Sequence, residues 1–368
     1  MNVALKSYFK ETKSMNTTTA HQIDQLLIDS GLFQTQQKPT VYKEDFNFEN
    51  DTILITGAAG TIGSELSKQV INGRFKQLVL VDMAESPLYE LVKEFEFKDN
   101  IKFHLLNITD KKSLGFLFET YKPSLVFHAA AYKHVPLMED HPFEAVKTNI
   151  FGTKWLADLS IENQVKKFVF ISTDKAVNPV SVMGMTKRIA ERYLISLNSR
   201  QKTAFFNARF GNILGSNGSV VPLFIKQFEN HKPITITRKN ISRYFICKRK
   251  ACNLILKIAL FDKINAGSFT FNMGQPIKIE HLIERLAKCF GKDINDIKVI
   301  YTGLRPGEKF FEDITTNNEI LTQTTESDIL FIKEKSHQKI TEIDFSTFSQ
   351  ITPFASHTEA KSVLKNYF

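Results

Sequence analysis

Cysteine is scarce in this chain, and the little there is forms no pattern. Three occur in 368 residues, Cys247, Cys252 and Cys289, with no CxxC pair. That spacing excludes a disulfide framework and fits a reducing compartment, with the three thiols read as packing residues. Long apolar runs are also missing. No stretch of about 18 apolar residues occurs, so no membrane-spanning helix is predicted. The opening segment, MNVALKSYFKETKSMN, lacks the apolar centre of a signal peptide, and a cytoplasmic protein is expected. His128 and His134 have no third ligand spaced to join them, so no metal site is predicted. The formal charge of +9 comes from 48 Lys and Arg against 39 Asp and Glu, but the basic residues are scattered. The densest run is only Lys248-Arg249-Lys250, which argues against a nucleic-acid partner. A basic surface that attracts a phosphorylated small molecule accounts for the charge equally well.

What is present is the composition of a globular enzyme, 42% hydrophobic and 24% charged. Residues 1–48 read as a polar N-terminal arm with one amphipathic helix near His21–Leu32. Apolar runs then begin at Ile53–Thr56 and recur at Leu78–Val81, Ile101–Leu106, Leu125–His128 and Phe168–Ser172, with helical segments between them. Uninterrupted apolar runs describe strands buried on both faces, and their alternation with helices predicts an α/β fold. The expected architecture is a doubly wound parallel Rossmann-type sheet over 49–211. A smaller substrate-binding region, 212–315, is partly interleaved with it, and 316–368 forms a C-terminal extension. Ser86-Pro87 reads as an N-cap followed by proline at the first helical position, and Pro142 opens a long helix through Trp155 and Leu159.

The first strand leads into Thr56-Gly57-Ala58-Ala59-Gly60-Thr61-Ile62-Gly63, a GxxGxxG spacing at a strand-to-helix junction. Gly57 permits the sharp exit, Gly60 the approach of a pyrophosphate and Gly63 the close seat of the helix on the sheet. Free N–H groups at the helix start, including those of Thr61 and Ile62, suit phosphate oxygens. Asp82 ends the next strand, where a carboxylate accepts both adenosine ribose hydroxyls and repels a 2′-phosphate. NAD is therefore the predicted cofactor.

The fifth strand ends in Ser172-Thr173-Asp174-Lys175-Ala176-Val177-Asn178-Pro179, followed by Met183-Gly-Met-Thr-Lys187. Here the chain resembles the extended short-chain dehydrogenase/reductases, which carry a Tyr-x-x-x-Lys pair on one helix face at this place. Lys187 matches the lysine, while Met183 stands in the tyrosine position. Further segments occur in order: His128-Ala-Ala-Ala-Tyr-Lys-His-Val-Pro-Leu-Met-Glu139, Arg209-Phe-Gly-Asn-Ile-Leu-Gly-Ser216 and Thr302-Gly-Leu-Arg-Pro-Gly-Glu-Lys309. Together they resemble the polysaccharide-biosynthesis nucleotide-sugar 4,6-dehydratases acting on UDP-N-acetylglucosamine, over about residues 50–315. Methionine in place of tyrosine is similar to the branch that retains configuration at C5, in its soluble form.

The resemblance implies a lyase with tightly bound NAD that is reduced and reoxidised within one turnover. By the same resemblance Asp174 is the acid for the leaving C6 hydroxyl and Lys175 the base at C5. Thr173 hydrogen-bonds the C4 oxygen, and Lys187 holds the nicotinamide ribose. Met183 takes no proton, so the C4 hydroxyl proton leaves by another route, through Thr173 and Asp174 or a water. Asn107, Ile108, Ala129, Ala130, Ala131, Lys133 and Asn149 are expected around the cofactor, with Asn149 also read as an orienting amide. Lys133, His134, Asn212, Arg243, Arg305 and Glu308 are expected on the UDP-sugar, the arginines on phosphate and Glu308 on the uridine ribose. His128 is read with His134 as lining the pocket. Around Arg238-Lys239-Asn240-Ile241 the chain departs from the family's His-Pro-Asp-Met, and Cys247-Lys248-Arg249-Lys250 is unusually basic. A homo-oligomer is expected. The competing readings are a C5-inverting dehydratase or C4 epimerase on the same fold, and a non-catalytic NAD-binding regulator or scaffold.

Overall fold

Each apolar run becomes a strand because both of its faces are covered. The computed structural model describes residues 15–33, 38–42, 46–96, 98–199, 201–262, 265–335 and 342–368. Six parallel strands run in the order β3-β2-β1-β4-β5-β6: β1 (Asn47–Thr56), β2 (Arg74–Asp82), β3 (Ile101–Leu105), β4 (Leu125–His128), β5 (Lys167–Ile171) and β6 (Ala204–Arg209). Within β1, Ile53 and Ile55 enter one core and Leu54 the other, as the two-residue side-chain period requires. Helices Thr61–Ile71 and Lys248–Leu260 supply the first face. Lys111–Tyr121, Thr153–Glu162 and Val182–Asn198 supply the second. The chain reverses direction of winding between β1 and β4, which opens a crevice at the carboxyl ends of the strands.

The sheet does not stop at the 211/212 boundary drawn from the sequence. β7 (Ser268–Phe271) pairs parallel with β6, and β8 (Glu319–Gln323) and β9 (Ile329–Glu334) complete a nine-stranded sheet antiparallel at that edge. Part of the segment expected as an extension is thus sheet. The remainder, 342–368, packs Phe348, Ile351, Ala360 and Leu364 against Val182, Met183, Met185 and Ile189 of the Val182–Asn198 helix.

A separate apolar cluster builds the smaller lobe from Phe224, Ile234, Ile236, Leu282 and Leu286. The arm expected at 1–48 lies partly outside the described residues. Its described helix, Thr17–Ser30, belongs to this lobe, burying Ile23 and Leu27 and receiving the Arg285 fork on Asp24. The basic run at 248–250 begins the Lys248–Leu260 helix, where cations oppose the helix dipole. Lys248 lies 3.8 Å from Glu65 and Lys250 3.1 Å from Asp328, so the run joins that helix to its neighbours. The helix after β2 starts at Glu85 with Ala84 as its cap, so Ser86 lies inside it and Pro87 occupies its first turn.

One ion-pair network ties the late strands to the early ones. Arg209, 1% exposed, donates to both oxygens of Glu191 on the Val182–Asn198 helix and to both oxygens of Glu319 on β8. Against the penalty of burial, the Arg209 and Arg188 cations and their hydrogen bonds hold Glu319 down at about 2. Arg209→Ala leaves two carboxylates buried without their partner. It is expected to destabilise the fold by about 3–5 kcal/mol in urea unfolding, and a loss below about 1 kcal/mol would contradict this account.

Candidate active site

The glycine turn after β1 is shaped by lack of room. Gly57 has φ +68°, and a Cβ there would stand 2.6 Å from the Ala130 backbone nitrogen. At Gly63 a Cβ would stand 2.1 Å from the Gly57 carbonyl oxygen, so the Thr61–Ile71 helix sits against the turn only as glycine allows. Gly60 caps that helix with no side-chain bond, which leaves the first amides directed at a ligand. Asp82 accepts from the Ala59 and Ala84 amides, both at 2.9 Å, and so fixes the turn before any ribose is considered. Each oxygen keeps a further lone pair for a hydroxyl. Asn107 directs its carbonyl at Thr109, and Ile108 packs against Gly152.

His128 differs from the reading that placed it in the pocket. It is fully buried, with Nδ1 2.8 Å from Thr56 Oγ1 and Nε2 2.9 Å from Thr153 Oγ1. Burial first, and the Lys187 cation second, push its imidazole well below the usual range, so it stays neutral. It is a tie between β1, β4 and the Thr153–Glu162 helix. The long helix predicted from Pro142 is interrupted by a π-helical segment, Val146–Gly152. Asn149 sits in it, accepts from the Tyr132 amide and donates to Tyr132 O and Thr186 Oγ1. Its amide therefore holds the 129–134 loop on the helix that carries Lys187.

The segment after β5 places Thr173, Asp174 and Lys175 at the carboxyl edge. Asp174 is 1% exposed, and its Oδ1 accepts from Thr173 Oγ1 and Lys175 Nζ, both at 3.0 Å. Its Oδ2 is buried with no hydrogen-bond partner. Lys175 also donates to Asn212 Oδ1 at 3.0 Å, so Asn212 orients this lysine, a contact distinct from the one expected with phosphate or sugar. Lys187 donates to Ile171 O at 2.6 Å and stands 3.8 Å from the Phe170 ring centre. Burial pulls its ammonium down to about 7. Met183 is 3% exposed within the apolar cluster beneath the site.

The groups expected on the substrate are divided between the loop after β4, which carries Lys133 and His134, and the opposite lobe. Lys133 donates to Asn217 O, and the His134 ring abuts Gly218, so this loop and the 215–219 segment meet above the glycine turn. Asn217 N in turn lies 3.3 Å from Thr61 Oγ1. Arg305 pairs with Glu308 at 2.7 Å, which against the desolvation of burial holds that carboxylate below its usual range. Arg243 directs its guanidinium at the Ser242, Lys309 and Phe310 carbonyls, and so pins the strip after Arg305 in place. A 520 Å³ cavity lined by Thr237, Arg238, Lys239, Tyr301, Gly303 and Leu304 flanks the Arg305–Glu308 turn, not the Asp174–Lys175 pair.

Two groups escaped the sequence reading. Glu312 is 8% exposed with Oε2 lacking a hydrogen-bond partner, 3.9 Å from Lys309 Nζ. Burial raises its carboxyl, with Lys175 opposing and Asp174 adding to the rise. Tyr244 is raised by burial and then by Asp313 and Asp174, which puts a phenol within electrostatic reach of the pair. Both come from the smaller lobe, and no local motif marks them. Among the described residues no group of three His, Cys, Asp or Glu is arranged for a metal, and no helix is long and apolar enough to cross a membrane.

The family model for "Polysaccharide biosynthesis protein" matches residues 53–334. The chain belongs to this family. It falls within the extended short-chain dehydrogenase/reductase superfamily of NAD-dependent epimerases and dehydratases. The capsular polysaccharide biosynthesis protein CapD of Staphylococcus aureus is 41% identical over 311 residues, 83% of this chain and 52% of that protein. The chain spans about half the length of the curated relatives it matches first. Among solved structures, Pen from Bacillus thuringiensis superposes with a TM-score of 0.70 at 34% identity, covering 78% of this chain and 89% of Pen. The Thermus thermophilus UDP-glucose 4-epimerase, solved in complex with NAD, shares the fold with a TM-score of 0.63 at 21% identity. That match covers 72% of this chain and 90% of the epimerase.

The buried Lys187 has a measurable consequence. Its folded pKa of about 7 lies below the unfolded value near 10.5. Between these values the unfolded chain binds more protons, so this lysine lets stability rise with pH, whereas Lys187→Met removes that gain. Thermal unfolding of the unliganded pair should show wild type gaining about 2–3 kcal/mol on the variant from pH 6 to pH 9. A difference independent of pH would show that Lys187 is not buried as a titrating amine.

Proposed function

We propose that the chain catalyses 4,6-dehydration of UDP-N-acetylglucosamine, with C5 configuration retained, in the biosynthesis of a surface polysaccharide. The observation that carries this reading is the Asp174–Lys175 pair at the carboxyl edge of β5, with a buried, unpartnered Asp174 oxygen and no tyrosine on the Met183–Lys187 turn. A plain dehydrogenase or a C4 epimerase needs one acid–base group at C4. An elimination across C5–C6 needs an acid and a base together. Membership of a polysaccharide-biosynthesis family, together with the likeness to the capsular polysaccharide protein CapD, supports a surface-glycan product.

NAD fits the crevice. The Gly57–Gly63 turn leaves the helix amides free for a pyrophosphate, Asp82 suits the adenosine ribose, and Lys187 the nicotinamide ribose. When bound, NAD supplies an acceptor for hydride and the means to return it within the same turnover. The protein groups divide the proton work. Thr173 turns its hydroxyl from Asp174 to the sugar O4. The C4 hydroxyl proton leaves through Thr173 to water. Within the ion pair the Lys175 ammonium passes a proton to Asp174, so the amine takes the C5 proton while Asp174 gives its own to the C6 oxygen, which departs as water. Lys175 then returns a proton to C5 on the same face, and the pair regains its remaining proton from water. Asn212 keeps the lysine beside Asp174. Met183 has no proton to exchange and packs the floor of the site. Arg305 and Glu308 take the UDP moiety from the smaller lobe, and a homo-oligomer is part of the same reading.

Incubation with UDP-N-acetylglucosamine in heavy water, followed by NMR, should give a 6-deoxy-4-keto product carrying deuterium at C5 with unchanged configuration. An inverted C5 or a C4 epimer would replace this reading with one of its rivals, and no conversion would remove it. Lys175→Ala should lower turnover by about 10²–10⁴ with little change in NAD retention.

A further inference from the structure

The last helix of the chain, His357–Leu364, lies far along the sequence from every motif of the active site, yet it reaches the site through one buried charge. Its start is fixed by a reciprocal capping box between Ser356 and Glu359, so the helix is a defined element with its own stop. Its apolar side buries Ala360 and Leu364 in the cluster that contains Val182, Met183, Met185 and Ile189. Lys361, on the next face, places Nζ 2.5 Å from Glu139 Oε2 as an ion pair.

Glu139 is 2% exposed and serves two parts of the site at once. Its Oε1 accepts from the Val182 amide at 2.8 Å, the first residue of the helix that carries Met183 and Lys187. The same oxygen closes against Gly307, where a Cβ would stand 2.7 Å away, inside the Arg305–Glu308 turn. Ser181, which caps the helix through the Gly184 amide, lies in the same contact at 2.9 Å from that Cβ position. The helix start on the cofactor side and the turn on the nucleotide side thus meet on one carboxylate. An anion at 2% exposure is tolerable only with a partner, and the cation at Oε2 is Lys361.

We propose that Lys361 is a positioning residue of the active site, holding the Glu139 carboxylate in place so that the Val182–Asn198 helix and the Arg305–Glu308 turn keep their spacing. Lys361 touches neither reacting atoms nor cofactor in this assignment. The assignment of what the two elements hold rests on the proposed function, whereas the spacing itself does not. Loss of the lysine leaves Glu139 buried without its ion-pair partner and free to turn toward water, and its bond to the Val182 amide weakens. The 342–368 segment is then part of the catalytic apparatus.

The test uses the full chain with Lys361→Met and Lys361→Arg, read by hydrogen–deuterium exchange and by calorimetric titration with UDP. Lys361→Met should speed exchange about tenfold or more in peptides covering 181–188 and 303–309, as the ion pair that steadies the Val182 acceptor is lost, with β1 peptides unchanged. UDP affinity should fall several-fold, and Lys361→Arg should restore both. A uniform rise across β1 as well, or no rise at 181–188, overturns the proposal. Where Lys361→Met does not fold, Glu139→Gln gives the second route. In that background, where no buried carboxylate is left unpaired, Lys361→Met should add nothing at 181–188, and an additive effect overturns the proposal equally. If the exchange pattern holds while the parent makes no deoxysugar, the functional reading fails and the positioning role stands.

Discussion

The molecule depends on a cation that never meets water. Arg209 ends β6 beside the strand that delivers Asp174 and Lys175, and its guanidinium is shared between the Lys187-bearing helix and the β8 edge. A helix, the strand that follows it and a strand more than a hundred residues later are brought to one fork, whose guanidinium geometry serves two carboxylates at once. The carboxyl edge of the sheet is a rigid platform because the strands beneath it and the helix above it share this fork. The dry surroundings that make the network costly to break also make the neighbouring Asp174 and Lys187 sensitive to every nearby charge.

Above that platform the site is assembled from two halves with different physics. The cofactor half is governed by close approach, in which backbones touch where side chains would collide, and its polar groups are already engaged with main chain. The substrate half is governed by charge. Arg243, Arg305, Glu308, Lys309 and Glu312 form a strip whose members pair with one another or with carbonyls. An anionic ligand entering there would exchange existing pairs for new ones, as expected where specificity outweighs raw affinity.

What could be read from sequence follows the range of the forces involved. The glycine turn, Asp82 and the strand sequence were legible because each is decided within a few residues. The doubly wound order followed from the alternation of strands and helices. His128 was misplaced because its partners, Thr56 and Thr153, are far away in the chain, and nothing local distinguishes a buried tie from a pocket wall. Residues 319–334 were not recognised as sheet, since β8 is largely exposed and its place is set by pairing with β9 and by Glu319 on Arg209. Asn212 and Arg243 were matched to a ligand by motif, while the structure shows the protein contacts that place them. Glu312 and Tyr244 carry no motif at all, and only the closure of the smaller lobe brings them near the pair.

The π-helical turn at Val146–Gly152 limits where chain length can change without cost. A helix advances by about 100° per residue, so one residue inserted in a regular helix rotates everything after it by that amount unless a widened turn absorbs the excess. Here the widened turn lets Asn149 face the 132 loop while Thr153, four residues later, still meets His128. Removing a single residue from the turn would tighten it to an ordinary helix and force a choice between those two contacts. The bulge thus sets the phase between the 132 loop and the helix that follows, and a change of chain length there would be felt at both contacts.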